Sequence, residues 1–346
     1  MIKETVFNKE TLISVIKEKY GIDITEIKKL DRGSANLYSL NNDTYILKEF
    51  QSKYTKDEID KEIMIINHLK KDDLLVPEYI TTINKEYSFI YKEKIITMQK
   101  FIDGYTMGSN TANYDQMIES ARELGGIVKS LESLEIELPI NDVSSWYSIE
   151  TINESIEKHK VLLDKITKED YPQIFKDLED KICMLEYAKS NINFEEMKNL
   201  TSMNTHGDYS VLQFIYKNGE IKAIIDFVSA CRMPIVWEVI RSYSYIDSEA
   251  KDGKIDINNL VNYVKEFIKY IKLNKYDIKY MSYLYLIQLL SSTFGYKQYI
   301  ADNSKTRLLE FAFFRTRLCK YLFDNAELIA SNLEKEISEE IDNSGI

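Results

Sequence analysis

The sequence has few of the residues that build disulfide frameworks and metal clusters. It holds three cysteines and three histidines in 346 residues. Cys183, Cys231 and Cys319 lie far apart and form no CxxC pair, so the sequence indicates neither a disulfide framework nor a zinc site. The N-terminus lacks the apolar segment of a signal peptide, and no run of about 18 apolar residues occurs. We therefore expect a cytoplasmic protein that does not bind a membrane.

Positive charge is also scarce. The chain has 45 Lys and Arg against 56 Asp and Glu, a net charge of -11. Binding to nucleic acid needs a basic surface, so we expect no nucleic-acid partner. An acidic surface favours cationic small molecules, although most acidic proteins are simply soluble. The hydrophobic content of 44% and the chain length predict a globular protein with two lobes around a cleft.

The first part of the chain has a mixed pattern that is typical of a small lobe rich in β-strands. Glu10 to Tyr20 predicts an amphipathic helix. Two alternating runs follow, broken by Gly33 and by the turn cluster Asn41-Asn42-Asp43. Thr44 to Phe50 predicts a strand that carries Lys48 near its end. Lys56 to Leu69 then predicts a helix, and YSFIYK and ITMQKFI predict two more strands.

From about residue 104 the apolar residues recur at helical spacing. Helices are predicted over Tyr114 to Leu134, Ile149 to Thr167, Gln173 to Asn191, Asn258 to Ile271, Tyr276 to Tyr299 and Lys305 to Leu333. The acidic end EKEISEEIDNSGI is interpreted as a frayed tail.

One stretch of this helical region has strand character: THGDYSVLQFIYKNGEIKAIIDF, residues 205–227. Asn218-Gly219 between two alternating runs predicts a β-hairpin with a type I′ turn, because both central residues of that turn need a positive φ. Lys217 then pairs with Glu220, and each step outward adds one further pair.

The predicted register brings polar side chains to one end of the hairpin. Gln213 lies opposite Ile224 in this register, and Asp226 comes close to the loop that carries Asp208. Two carboxylates and an amide oxygen suit a hard cation such as magnesium, which shares its oxygen ligands with phosphates. A carboxylate that is not on the metal can accept the proton of an attacking hydroxyl. The alternative is an exposed hairpin with an Asp at each flank.

HGDYSVLQF followed by IDF resembles the catalytic and metal-binding motifs of the aminoglycoside phosphotransferase and choline kinase superfamily. The family pattern is His-Gly-Asp, four residues, Asn, a hairpin and a second Asp. Position 213 keeps the spacing but carries Gln, and Asp226 falls 18 residues after Asp208. The resemblance covers nearly the whole chain and implies an α+β, bilobal, protein-kinase-like fold. Residues 1–103 would be the nucleotide-binding lobe, ending in the hinge, and residues 104–346 the helical lobe with the catalytic hairpin and the acceptor site.

The resemblance also implies a role for each of these residues. Asp208 would be the catalytic base, and Asp226 with Gln213 would hold Mg²⁺ beside ATP or GTP. Lys48 would bind the α- and β-phosphates. Glu62, 14 residues later, would pair with Lys48, and Glu58 is the alternative one helical turn earlier.

Two further segments match the family by position. The turn LDRGSANLYSL would cover the phosphates, with Gly33, Ser34 and Asn36 as donors. MQKFIDG resembles the hinge between the lobes, and the backbone from Gln99 to Phe101 would contact the purine. A plain hairpin is the alternative for the single-glycine turn.

Glu238 and Arg241 lie on the helix that PIVWEVIRSYSYID predicts. Glu238 matches an acidic residue that supports the catalytic loop in the family; the alternative is an ion pair with Arg241 on the helix face. His206 would hold the catalytic loop without acid-base work.

The implied activity is transfer of the γ-phosphate of ATP or GTP to a hydroxyl of a small molecule, with an aminoglycoside antibiotic as one acceptor. Asp247, Glu249 and Asp252 are candidate contacts to such a polycation, or solvated loop residues. Choline, homoserine, methylthioribose and other sugars are acceptors in the same superfamily. A second class is a non-catalytic, kinase-like binding or structural protein of the spore-coat type, which Gln213 favours. A protein kinase is a third alternative, disfavoured because few residues separate Asp226 from the next helix.

Overall fold

The computed structural model describes the backbone of residues 5–30 and 35–343, with side chains through Ile337. The chain divides into two compact units. The first comprises residues 1–107, 130–137 and 212–230, and the second comprises the remaining residues. The domain boundary predicted after residue 103 remains a prediction. The compact units differ from it mainly because the hairpin segment 212–230 packs with the N-terminal residues.

The first unit contains an antiparallel sheet that starts from short alternating runs of the sequence. Its strands, within the described residues, pair in the order β1-β2-β3-β6-β4, and β5 also pairs with β6. Their bounds are β1 Ile27–Leu30, β2 Asn36–Leu40, β3 Tyr45–Glu49, β4 Tyr79–Ile80, β5 Ser88–Tyr91 and β6 Lys94–Lys100. The predicted strands after residue 36 are therefore confirmed. Asn41, Asn42 and Asp43 all adopt positive φ and form the β2–β3 turn, a backbone region that Asn and Asp tolerate.

Two helices accompany this sheet, and each starts at a side-chain cap. α1 spans Lys9–Tyr20 behind Asn8, and α2 spans Lys56–Lys71 behind Thr55. Both caps accept a backbone N–H that the helix itself leaves without a partner. α1 covers one face of the sheet, where Leu12, Ile16, Leu47 and Met98 belong to one buried core.

The predicted hairpin forms as β8 Phe214–Lys217 and β9 Glu220–Ile224. Asn218 and Gly219 have φ of 56° and 86°, which confirms the type I′ turn. The predicted register is wrong beyond the second pair, because an irregularity between Ile215 and Tyr216 shifts the pairing by one residue, so that Phe214 and not Gln213 lies opposite Ile224. Such a bulge places one extra residue on one strand, which the sequence pattern does not reveal.

The second unit is mainly helical. Its helices are α3 Tyr114–Leu131, α4 Ile149–Leu163, α5 Pro172–Asn191, α6 Phe194–Met197, α7 Ile235–Ile246, α8 Ile257–Phe267, α9 Lys275–Ser291, α10 Tyr296–Ala301 and α11 Thr306–Asn343. β7 Ser202–Thr205 pairs antiparallel with β10 Cys231–Pro234.

Two helix predictions in this unit need correction. The helix predicted to run to Tyr299 breaks after Ser291, because the chain leaves helical geometry and Gly295 adopts a φ of 92°. α11 continues to Asn343, so the interpretation of the acidic end as frayed is wrong up to that residue. Of the helices described, none is both long and apolar enough to cross a membrane.

Candidate active site

The cavity of interest lies in the first unit, on one face of the sheet. β3 and β6 pair so that Lys48 lies opposite Thr97 and Ile46 lies opposite Gln99. Directly paired residues of an antiparallel sheet point to the same side, whereas Leu47 and Met98 point to the apolar core on the other side. Lys48, Ile46 and Gln99 therefore face a cavity of about 350 Å³, a size within the range of small-molecule sites, roughly 300–1,000 Å³.

This cavity brings together six of the residues that the sequence singles out. Those that line it are Lys48, Glu62, Gln99, Phe101, Gln213 and Asp226. Much of the remaining wall is apolar, with Leu37, Ile46, Leu212 and Ile225 among its residues. A pocket with apolar walls and a few convergent polar groups is the usual form of a ligand site.

Glu62, and not Glu58, is the glutamate of α2 that lines the cavity. Its side chain is only 4% exposed. Burial raises the pKa of the Glu62 carboxyl, Lys48 lowers it, Asp226 raises it, and a hydrogen bond from the backbone of Phe227 lowers it. The net result is a pKa above the ordinary value of Glu. Lys48 is thus close enough to act on this carboxyl through its charge.

Glu58 has a different role, at the start of the helix. Its Oε2 accepts hydrogen bonds from the backbone N–H of Thr55 at 2.7 Å and from the Thr55 hydroxyl at 2.9 Å. These contacts form a capping box. The order Thr55-Lys56-Asp57-Glu58 is the usual sequence signal for one, so the sequence already contained the reason to prefer Glu62.

Glu62→Gln and Glu58→Gln form a matched pair that separates these roles. We expect Glu62→Gln to weaken nucleotide binding because it removes a charge beside Lys48, with the melting temperature largely kept. Glu58→Gln should keep nucleotide affinity and change stability little, because Gln also serves at this position of a capping box. Calorimetric titration with ADP and Mg²⁺ measures the nucleotide affinity, and thermal melting measures the stability. Equal affinities in the two variants would contradict the assignment of Glu62.

Asp226 follows β9 in a backbone conformation that few residues adopt. Its φ of 70° and ψ of 55° are left-handed, a region that Asp tolerates better than most residues. Its side chain is exposed and borders the cavity. Gln213 lies just before β8, and its carbonyl oxygen accepts the N–H of Ile225 at 2.9 Å, which ties the two ends of the hairpin together. Non-glycine residues with a left-handed backbone, such as Asp226, cluster at functional sites.

The oxygen donors of Asp226 and Gln213 fit a magnesium ion in the chemistry of their donor set. Both are hard ligands, and both border the same cavity. In the described part of the chain, no group of three or more His, Cys, Asp or Glu residues could hold a metal ion. Magnesium commonly uses one or two protein oxygens together with water and substrate phosphates, so two protein donors are consistent with such an ion.

The segment that follows the predicted hinge is held to the hairpin by backbone hydrogen bonds. Tyr105 donates its N–H to the carbonyl of Tyr216 at 2.9 Å, and Tyr216 donates in return at 2.8 Å. Phe101 lines the cavity just after β6. This double hydrogen bond fixes the position of the segment that follows Gln99 and Phe101.

The phosphate-covering turn is described only in part. Gly33 and Ser34 lie outside the described residues. Asn36 is the first residue of β2, is buried, and donates from its side-chain amide to Glu49 at 3.3 Å. Its proposed contact with phosphate stays a prediction.

Asp208 lies in the second unit, on the loop that follows β7. The loop is held by the fully buried Glu238 of α7, whose carboxylate accepts from the Thr205 hydroxyl, from the Gly207 N–H at 3.2 Å and from the Tyr209 N–H at 2.8 Å. His206 is also fully buried and accepts the N–H of Asp208 on its Nδ1 at 3.3 Å. Both residues therefore support the loop structurally.

Arg241 pairs with a residue of this loop that the sequence analysis did not identify as its partner. The sequence allows an ion pair with Glu238, but in the structure the Arg241 guanidinium donates to Asp208 Oδ1 at 2.5 Å and to the Tyr209 carbonyl at 3.1 Å. It also packs between the rings of Trp237 and Tyr245, at 5.2 and 5.4 Å. Burial lowers the pKa of Arg241, and Asp208 is the first of the groups that raise it above its ordinary value. Arg241 thus fixes one carboxylate oxygen of Asp208.

The acidic residues after α7 do not form one exposed acidic surface. Asp247 is 3% exposed and accepts hydrogen bonds from the Tyr243 hydroxyl, the Asn259 amide and the Glu249 N–H. It is therefore a structural residue and not a solvated contact. Glu249 and Asp252 are exposed.

Comparison with known families gives one extended match. Residues 26–258 match the model of the phosphotransferase enzyme family. No curated protein matches the chain significantly.

Several solved structures share the fold. A spectinomycin phosphotransferase, solved with ADP and spectinomycin, is 16% identical, with 92% of this chain and 98% of that chain covered and a TM-score of 0.61. An aminoglycoside phosphotransferase from Alicyclobacillus acidocaldarius is 10% identical, with 96% and 98% covered and a TM-score of 0.62. An amicoumacin kinase, solved with AMP-PNP and Ca²⁺, is 12% identical, with 91% and 94% covered and a TM-score of 0.57. The predicted α+β, protein-kinase-like fold is confirmed.

Proposed function

Because the chain belongs to the phosphotransferase enzyme family, we propose that it transfers the γ-phosphate of ATP or GTP to a hydroxyl of a small molecule. The observation that carries the proposal is that Lys48, Glu62, Gln213 and Asp226 all line one cavity of the first unit. One cation, one buried carboxylate and two further oxygen donors are the groups that a nucleotide with its metal requires.

The roles follow from the chemistry of phosphoryl transfer. Lys48 binds the α- and β-phosphates, and Glu62 orients Lys48. Asp226 and Gln213 would hold Mg²⁺, which neutralises charge on the phosphates when bound. The acceptor oxygen forms a bond to the γ-phosphorus while the bond to the bridging oxygen of the leaving nucleoside diphosphate breaks. Most of the acceleration comes from positioning and charge neutralisation.

Asp208 receives the proton in this scheme. The acceptor hydroxyl gives its proton to a carboxylate oxygen of Asp208 as the new P–O bond forms. Arg241 holds Oδ1 of this carboxylate in place. The Glu238 carboxylate holds the surrounding loop by accepting hydrogen bonds from the backbone N–H groups of Gly207 and Tyr209.

The acceptor is proposed as a small hydroxylated molecule, with aminoglycosides as the first class to test. The net charge of -11 favours a cationic acceptor, and one structural neighbour was solved with spectinomycin. A cytoplasmic location, where ATP and GTP are available, is part of the proposal.

Thermal melting with nucleotide and Mg²⁺ is the first test. ADP or GDP at about 100 times its Kd should stabilise the protein by about 2.7 kcal/mol, because only the folded state binds it. The melting temperature should rise less without Mg²⁺. If no nucleotide raises it at saturating concentration, the kinase proposal is wrong.

Turnover is tested next, by release of ADP or GDP with a panel of aminoglycosides, choline and homoserine. The alternative function is a kinase-like protein that binds nucleotide without turnover, and it is favoured by Gln213, whose amide lies one methylene further from the backbone than that of Asn. A rise in melting temperature with nucleotide, but no release of ADP or GDP in the presence of any acceptor, would support this alternative.

A further inference from the structure

The amide oxygen of Gln99 is a buried polar atom without a partner among the described residues. Gln99 is 5% exposed, and none of the described residues forms a hydrogen bond with its Oε1. The same side chain borders the cavity. Buried polar atoms nearly always have a hydrogen-bond partner, so an exception calls for an explanation. A ligand in the cavity would supply one.

The neighbours of Gln99 on the sheet do not satisfy it. Ile46 and Tyr79 pair with Gln99 on the adjacent strands, and Ile46 has no polar side-chain atom. The Tyr79 hydroxyl and the Thr97 hydroxyl are themselves buried without partners among the described residues. The amide oxygen of Gln99 therefore has its hydrogen-bonding capacity available on the cavity side of the sheet.

The surroundings of Gln99 suit a flat, uncharged group. Ile46, Phe101 and Leu212 contribute apolar surface to the same cavity. The charged groups Lys48 and Asp226 suit phosphates and their metal ion. Of a bound nucleotide, the base is the part that combines flat apolar faces with hydrogen-bonding edges.

We propose that the Gln99 carboxamide binds the base of the donor nucleotide and selects adenine over guanine. This inference rests on the proposed function, because it needs a nucleotide in the cavity. A carboxamide carries one donor and one acceptor side by side, which match the N6 amino group and N7 of adenine. Guanine offers O6 and N7 at the same edge, both acceptors. At this edge the amide oxygen faces an acceptor whichever way the amide is turned. Guanine would match the amide only by turning its O6 and N1–H toward Gln99, and ADP and GDP would then bind equally.

The test is direct comparison of ADP and GDP binding in the presence of Mg²⁺, by calorimetry on the full chain. The wild-type protein should bind ADP on the order of tenfold more tightly than GDP, the discrimination expected of one well-placed pair of hydrogen bonds. Gln99→Met has a similar shape without either hydrogen-bonding group, and its ADP and GDP affinities should become nearly equal. Thr97→Val is the matched control: it removes an unpartnered hydroxyl on the same face and should leave the ratio unchanged.

Each outcome decides the matter. Equal binding of ADP and GDP by the wild-type protein, or tighter binding of GDP, overturns the adenine assignment even if Gln99→Met does not fold. A wild-type preference for ADP that persists in a folded Gln99→Met also overturns it. Binding of neither nucleotide refutes the proposed function, and this inference with it, whereas binding of both with equal affinity refutes this inference alone.

Discussion

Replacing Asp208 by asparagine is expected to lower kcat by about 10²- to 10⁴-fold, the usual contribution of a general base, with nucleotide binding kept. The amide oxygen of Asn can still accept the 2.5 Å hydrogen bond that Arg241 makes to Oδ1. The backbone contacts to Glu238 and His206 do not involve the side chain at 208. The substitution thus removes basicity while it preserves the loop.

The measurement is nucleoside diphosphate release with the best acceptor, together with the rise in melting temperature that ADP and Mg²⁺ produce. Asp57→Asn makes the same chemical change at an exposed site on α2, and its turnover should equal that of the wild type. Asp208→Asn should keep the full ADP effect. Retention of more than about a tenth of the wild-type kcat would be far above the range for a lost base and would refute this role.

The second large effect is expected for Asp226→Asn. The left-handed backbone at this position, with a φ of 70°, accommodates Asn as well as Asp, so the fold of the loop should remain. What is lost is a negative charge at the proposed metal site. Metal-assisted stabilisation is worth several kcal/mol, and each 1.36 kcal/mol is tenfold in rate. We therefore expect kcat/KM to fall by about a hundredfold or more.

The diagnostic readout for Asp226→Asn is the magnesium dependence of ADP binding, measured by calorimetry with and without the metal. In the wild type Mg²⁺ should tighten binding, and in the variant it should have little effect. Asp73→Asn is a matched control, since Asp73 is also left-handed, with a φ of 59°, but is exposed and away from the cavity. An unchanged magnesium effect in Asp226→Asn would show that the metal is held elsewhere.

The two predicted losses differ in kind, and this allows the roles to be separated. Asp208→Asn should act on turnover and spare nucleotide binding. Asp226→Asn should act on both, because the metal contacts the nucleotide as well as the transferred phosphate. A protein that binds nucleotide without catalysis would show the second effect on binding and no turnover in any variant.

Some features of the site could be predicted because they depend on residues that are close in the chain. Asn218-Gly219 specifies its turn through its own backbone preferences. Thr55 and Glu58 specify the start of α2 by bonding to each other's backbone. The alternation of Thr44 to Phe50 specifies which side chains share a face of β3, and hence that Lys48 and Leu47 point in opposite directions. The family motifs then supplied roles for residues at known spacings.

Other features could not be predicted because they depend on contacts between distant segments. The register of the hairpin changes at a bulge between Ile215 and Tyr216, and no local signal marks it. Asp247 looked like a solvated acid, yet Tyr243 and Asn259 surround it with donors. Burial and pairing of a polar side chain are decided by whichever elements pack around it.

Apart from the short strand β4, which was not predicted, the sequence by itself determined the order of strands and helices in the first unit, the type I′ turn of the hairpin and the residues of the motifs, since these follow from local backbone preferences and spacing. Only the tertiary structure decided that Glu62 is buried beside Lys48, that Arg241 pairs with Asp208 across 33 residues of chain, and that the amide oxygen of Gln99 is buried without a partner among the described residues. These three depend on which surfaces exclude water and which charges meet, and that is settled when the elements pack together.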